Sequence, residues 1–451
     1  MPPTFTPLAP GTPVLAAVSP GPDLAAAGFA EREYAVAGTA LRYEPAAGGA
    51  SGAGAAVPTD PAPYRTRVVV RAPVDPAHFS GVAVLEWLNV SSGADAAPDY
   101  TYLGEEVVRR GHAWVGVSAQ LVGVVGGPPS IGGDPSVGLR GTDPGRYGDL
   151  RHPGDGYAYD IFSQVGAALS APGGPLADRR VDRRIAVGES QSAFALTTYL
   201  NEVAPTAGVF DAYLVHSRGR FALGLGRAGG PVDLQTVRFG EAVPIRDDLA
   251  VPVIVVETET DVLSPRFRYV DARQADGPLL RTWEVAGTAH ADRWQIGDLE
   301  DLLGCPDPVN RGQQAYVLRA ALRWLETWSG EGAPPRAPVL ATSAEGAFEL
   351  DEVGNVLGGV RTPCVEVPAQ ALSGLPSPDA PILCSLFGTT HDLPGKVLRE
   401  RYASVEAYLK EYAAATDAAI AAGFLLVEDR AAVLAEARPD LVAAALDRPL
   451  E

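Results

Sequence analysis

Cysteine is scarce in this chain of 451 residues: Cys305, Cys364 and Cys384 are the only three. An odd, sparse set makes no disulfide framework. It reads as thiols in a reducing compartment, with a single Cys364–Cys384 bridge as the other reading. Positive charge is also short. There are 36 Lys and Arg against 55 Asp and Glu, a net charge of -19. Nucleic acid and anionic membranes require a basic face, so neither is expected as a partner. No apolar run reaches the ~18 residues of a spanning helix. The opening stretch "MPPTFTPLAPGTPVLAAVSPGPD" has neither the basic start nor the apolar core of a secretory signal, so the cytoplasm is the expected location. Histidine occurs six times, never as H-x-x-x-H, and C-x-x-C is absent, so no metal is expected. Methionine occurs once, beside 50 Gly and 40 Pro, a composition typical of GC-rich bacterial genomes.

What is present is an ordinary globular balance, 46% hydrophobic and 20% charged, in a chain long enough for a large core. Residues 1–30 read as an irregular arm and 46–63 as a low-complexity loop. Residues 33–45 read as an edge strand and 64–73 as a strand with one face covered. Strands and helices then alternate. Strands are expected at 81–90, 112–120, 183–188, 211–217, 251–259 and 279–287, and helices at 99–111, 156–171, 192–204 and 311–330. This pattern predicts an α/β fold, a mostly parallel central sheet with helices on both faces and an antiparallel edge. Residues 331–451 carry loops and helices, and read as a C-terminal extension packed on a 1–330 domain as a cap or wrap.

"RIAVGESQSAFALTTYL" (184–200) reads as strand, tight turn and helix, with Ser190 at the turn. A serine there stands at the carboxyl end of a parallel strand, where ligands bind. The turn needs small residues two before and two after the serine, because strand and helix pass closely. Gly188 meets the first need. Ser192 stands where glycine is usual and is still small. The alternative reading of Ser190 is a helix N-cap. A nucleophilic serine needs a base and an orienting acid. Downstream, "VPVIVVETE" runs into "TDVLSP", placing Asp261 just past a strand end, with Glu259 as the alternative acid. "TWEVAGTAHAD" places His290 just past the next strand. The order serine, acid, histidine, each after a strand, is the one this architecture uses. The Gln191 backbone N–H opens the helix and would face a developing oxyanion. A second donor is expected from the backbone near Asn89 or Val90, in "WLNVSSG". Trp87, His216 and Trp294 are candidate pocket residues. His112 falls on the wrong edge of the sheet, and His152 reads as structural.

These residues resemble the α/β-hydrolase superfamily, whose elbow, acid and histidine match Ser190, Asp261 and His290. "LEWLNVSSG" (85–93), "RYGDLRHPGDGYAYDIFSQ" (146–164), "ETETD" (257–261) and "GNVLGGVRTPCVEVP" (354–368) further resemble large bacterial α/β-hydrolase domain-containing proteins. Ser192 and Thr258 depart from that pattern, both standing where glycine is common. The resemblance implies a serine hydrolase acting on a small-molecule carboxylic ester without a cofactor. An acyltransferase or cyclase with the same triad, and a non-catalytic binding protein on this scaffold, are the rival readings. Oligomeric state is left open.

Overall fold

Proline is usually a strand breaker, yet the third strand carries Pro58, Pro61, Pro63 and Pro73 in one long ribbon with the second. The computed structural model describes residues 2–16, 21–45, 55–130, 134–233, 240–329 and 332–447. In it β2 (Phe29–Glu44) pairs antiparallel with β3 (Val57–Pro73), from Phe29 opposite Pro73 to Glu44 opposite Val57. The next strand pairs with β3 only at Val68–Arg71. Over most of its first half β3 therefore has a free side, where a missing N–H breaks no ladder. Strand β1 (Thr4–Pro7) lies against β2. This corrects the sequence reading in three places. The 1–30 arm holds a strand, 33–45 is covered by that strand at Tyr34–Ala37, and the loop expected to reach residue 63 is already strand from Val57. Residues 46–54 of that loop lie outside the described residues.

The chain divides into two compact units. The first comprises Met1–Val253, Asp271–Leu280 and Leu325–Ser329. After the antiparallel β1–β3 it holds parallel strands β4 (Val82–Trp87), β5 (Ala113–Val117), β6 (Arg183–Glu189) and β7 (Ala212–His216), in the order β1-β2-β3-β5-β4-β6-β7. β5 and β7 are buried throughout, as are all but the first residue of β4 and the first two of β6; strands covered on both faces read as continuous apolar runs. Glu86 interrupts that pattern for a reason. Its carboxylate accepts the N–H groups of Asp99 and Tyr100 and the Trp114 indole N–H, at 2.8–3.0 Å. It thus caps the start of the helix Pro98–Arg110 from within the sheet. The helix expected over 192–204 is α-helical at Gln191–Thr198 and becomes a π-turn at Tyr199–Val203. We have no physical account of that change.

The second unit comprises Ile254–Val270, Arg281–Trp324 and Gly330–Glu451. Here β8 (Val253–Thr258) and β9 (Leu280–Val285) are neighbours. The C-terminal segment packs with them. Val360 exchanges backbone hydrogen bonds with Glu284 and Ala286, at 2.7 and 3.0 Å. The helix Gln314–Thr327 meets the same segment through Arg319, whose guanidinium pairs with buried Asp429 at 3.1 Å. Cys305 and Cys384 form a disulfide, with Cα atoms 5.7 Å apart. This corrects the cysteine reading. Cys364 is the free thiol, and the bridge joins two residues 79 positions apart that no spacing rule pairs. No described helix is long and apolar enough to cross a membrane.

Candidate active site

Ser190 stands at the end of β6 with φ 57° and ψ −117°, a left-handed region that non-glycine residues rarely enter. Such strain is of order 1–3 kcal/mol and persists only where neighbours enforce it. Here the Ser190 N–H donates to the His216 carbonyl at 2.9 Å, and the Ser190 carbonyl accepts the first helical bond from Phe194 at 3.1 Å. The serine side chain makes no capping bond to the helix it precedes. The N-cap reading therefore has no support in the geometry.

The departure at Ser192 has a spatial explanation. A Cβ added at Gly188 would lie 3.0 Å from the Ser192 Cβ and 3.0 Å from a Leu196 methyl. The close approach of strand and helix is taken up at 188, and this leaves room for one hydroxymethyl group at 192. Ser192 is fully buried, and its hydroxyl has no hydrogen-bond partner among the described residues.

The loop after β4 corrects the expected oxyanion donors. The Val90 N–H donates to the Gln191 side-chain oxygen at 3.1 Å, and the Asn89 N–H donates to the Ala96 carbonyl at 2.9 Å. Both are engaged, because the loop folds back on itself and grips the elbow. The Asn89 amide donates to the Glu189 carbonyl at 2.9 Å. Gln191 Nε2 donates to Gln120 Oε1 at 2.6 Å, and the Trp87 indole N–H meets the same oxygen at 3.0 Å. The Gln191 backbone N–H is the first N–H of its helix and so has no intrahelical acceptor.

Two expected pocket residues of this unit are core residues. Trp87 is 1% exposed, with its ring against Tyr159 and Phe162. His216 is buried, its Nδ1 2.9 Å from Asp99 Oδ1 and its ring edge-on to Tyr102. It supports the elbow from beneath through its carbonyl. His112 bonds Ser80 and Glu326, and His152 bonds the Ala119 carbonyl and the Gly154 N–H. Both rings are fully engaged in structural contacts.

The second unit holds Asp261 and His290. Thr258 and Asp261 form a capping box on the short helix Glu259–Leu263. Asp261 Oδ2 accepts the Thr258 N–H and hydroxyl at 2.8 and 2.6 Å, while Oδ1 lies 2.6 Å from His290 Nδ1. Burial alone would raise the Asp261 pKa, but His290 and Thr258 outweigh it and hold the carboxyl below its ordinary value. The His290 ring stacks on Phe267, with centroids 4.4 Å apart, and the His290 backbone N–H donates to the Thr260 hydroxyl at 3.0 Å. An imidazole whose Nδ1–H is held by a carboxylate presents Nε2 as the base.

Glu259, the alternative acid, faces elsewhere. Its two oxygens accept the backbone N–H groups of Gly287 and Gly374 at 2.6 and 2.7 Å. Burial raises its pKa to about 7. The Thr260 hydroxyl bonds the Gly374 carbonyl. The C-terminal segment thus anchors the two residues that immediately precede Asp261. Trp294 lines a cavity of about 920 Å³ formed wholly within this unit.

Sequence reasoning missed Thr258, Thr260, Phe267, Gly374 and Gln120. The first was within reach, since T-E-T-D matches the capping-box pattern. The others act through contacts distant in sequence.

The chain matches the family described as alpha/beta hydrolase domain over residues 3–435. It belongs to that family, and its fold is the expected α/β fold with a mostly parallel central sheet. Among solved structures, it is similar to an α/β serine hydrolase without lid from Xanthomonas campestris, at 14% identity and TM-score 0.32, covering 59% of this chain and 92% of that one. Est1E from Butyrivibrio proteoclasticus is similar at 11% identity and TM-score 0.30, with 63% and 98% covered. An esterase domain of a Rhodothermus marinus protein is similar at 13% and 0.30, with 64% and 97% covered. No curated protein matches the chain.

Proposed function

We propose that this α/β hydrolase is a serine esterase that cleaves a small-molecule carboxylic ester through an acyl-enzyme. Ser190 is the nucleophile, His290 the base and Asp261 the acid that orients it. The observation that carries this reading is the 2.6 Å bond between His290 Nδ1 and Asp261 in a chain whose Ser190 is held on a strained strand-to-helix turn. Ser190 Oγ attacks the ester carbonyl as His290 Nε2 takes its proton. The Gln191 N–H and the helix N-terminus stabilise the oxyanion. His290 returns the proton to the leaving alcohol, and water, activated by the same imidazole, then releases the acid. Ionised Asp261 stabilises the imidazolium of both steps. No cofactor takes part in this scheme.

A serine-directed fluorophosphonate tests it. Wild type should be labelled on Ser190, and Ser190→Ala should lose both label and ester hydrolysis. Asp261→Asn should keep the fold and lower kcat by about 10⁴-fold, as expected when the imidazole takes the wrong tautomer. An unlabelled wild type, or Ser190→Ala that hydrolyses esters normally, ends the proposal. Products formed with and without an added alcohol distinguish hydrolysis from acyl transfer.

A further inference from the structure

The cavity of about 920 Å³ lies entirely among residues 293–313 and 364–438, and none of Asp261, Phe267 and His290 lines it. Its volume is that of a small-molecule site, for which about 300–1,000 Å³ is usual. Its walls hold donors that lack acceptors. Gln313 Nε2 donates to the Tyr412 hydroxyl at 2.9 Å, and the Arg438 N–H donates to the Tyr408 hydroxyl at 2.9 Å. Both tyrosines are 1% exposed, and neither hydroxyl proton has an acceptor among the described residues.

Three guanidinium groups stand in the same wall. Arg293 reaches Asp298 and Glu300, Arg311 reaches Glu300, and Arg438 reaches Asp440, each through Nε or Nη2. Their Nη1 groups make no hydrogen bond among the described residues. Asp298 is fully exposed and Asp440 largely so, and water screens these two partners, while Glu300, shared by Arg293 and Arg311, is mostly buried. Both oxygens of the Glu436 carboxylate in this wall are already occupied. The Glu436 oxygens take the Tyr316 hydroxyl at 2.7 Å and the Gln313 amide at 2.8 Å. Burial, with Asp292 nearby, raises the Glu436 pKa and so weakens its opposition to an anion. Val367, Ala369 and Leu372 supply an apolar strip. The wall thus sets three arginines against two carboxylates, Glu436 and Asp392, the latter accepting the Gln370 amide at 2.7 Å.

We propose that this cavity binds an amphiphile with an oxyanion head, a carboxylate or a phosphate monoester on a short apolar body. The head meets the arginine Nη1 groups and the Tyr408 and Tyr412 hydroxyls, in charge-assisted hydrogen bonds. The body lies on the apolar strip beside Trp294. The site is separate from the esterase chemistry and does not depend on it.

Calorimetric titration of the full chain with octanoate, octyl phosphate and octanamide tests the proposal. At least one of the two anions should bind at a single site, equally in wild type and in Ser190→Ala, and octanamide about tenfold or more weaker. Whichever head binds more tightly names the source. Arg311→Gln and Tyr412→Phe should each weaken the anion by about tenfold. Arg438→Gln repeats the test should either variant fail to fold. The proposal is overturned if neither anion binds by millimolar concentration, if octanamide binds as well as they do, or if the folded variants bind like wild type.

Discussion

Ser192 and Glu259 show how single residues near the site differ from what their sequence neighbourhood implies. Ser192 is buried with an unpartnered hydroxyl. Leaving such a group unmade costs about 1–3 kcal/mol, so Ser192→Ala should stabilise the protein by about 1 kcal/mol, read as a rise in Tm. A lowered Tm would show that the hydroxyl has a role the geometry does not reveal. Glu259 makes a different prediction. Its folded value of about 7 lies above its ordinary 4.5, so the folded state holds this proton more tightly. That stabilisation is complete below about 4.5 and is lost as pH rises towards 7. Urea midpoints across this window should decline less in Glu259→Gln than in wild type. Ser190, Asp261 and His290 were legible because each follows an apolar strand within a few residues. Glu259's engagement was not, because its partner Gly374 lies 115 positions away.

Among the elements, the parallel strands were readable because full burial leaves continuous apolar runs. β1 and the first half of β3 were not, because proline there sits where no ladder bond is needed. The loop after β4 follows its strand where the sequence puts it, but a backbone N–H carries no mark in sequence of whether it is already bonded. The C-terminal turn at Gly374 is the element on which the acid loop rests. A Cβ there would lie 2.3 Å from the Thr288 carbonyl and 2.5 Å from the Glu259 Cβ. Gly374→Ala should therefore destabilise by about 1–3 kcal/mol. It should also lower kcat by about a hundredfold through displacement of the acid. Thermal unfolding together with ester kinetics checks both, and a variant with wild-type values would show that the turn yields freely.

At the scale of the whole molecule, the Cys305–Cys384 bridge removes the ground for a reducing compartment, since such bridges persist where the surroundings oxidise. Thiol titration of the unfolded, unreduced protein should find one reactive group, Cys364, and three after reduction. Cys305→Ser should lower stability by about 2–5 kcal/mol, as expected for a loop of this length. Three thiols before reduction would contradict the bridge. The Gly374 N–H that Glu259 accepts has a practical corollary for anyone seeking a minimal version of this enzyme. A stop codon near residue 330 looks harmless on a linear map, because it keeps the serine, the acid and the histidine. It would also delete the turn that holds Glu259 and Thr260, so the shortened gene would encode the three proposed reacting side chains without the contacts that brace the two residues before Asp261.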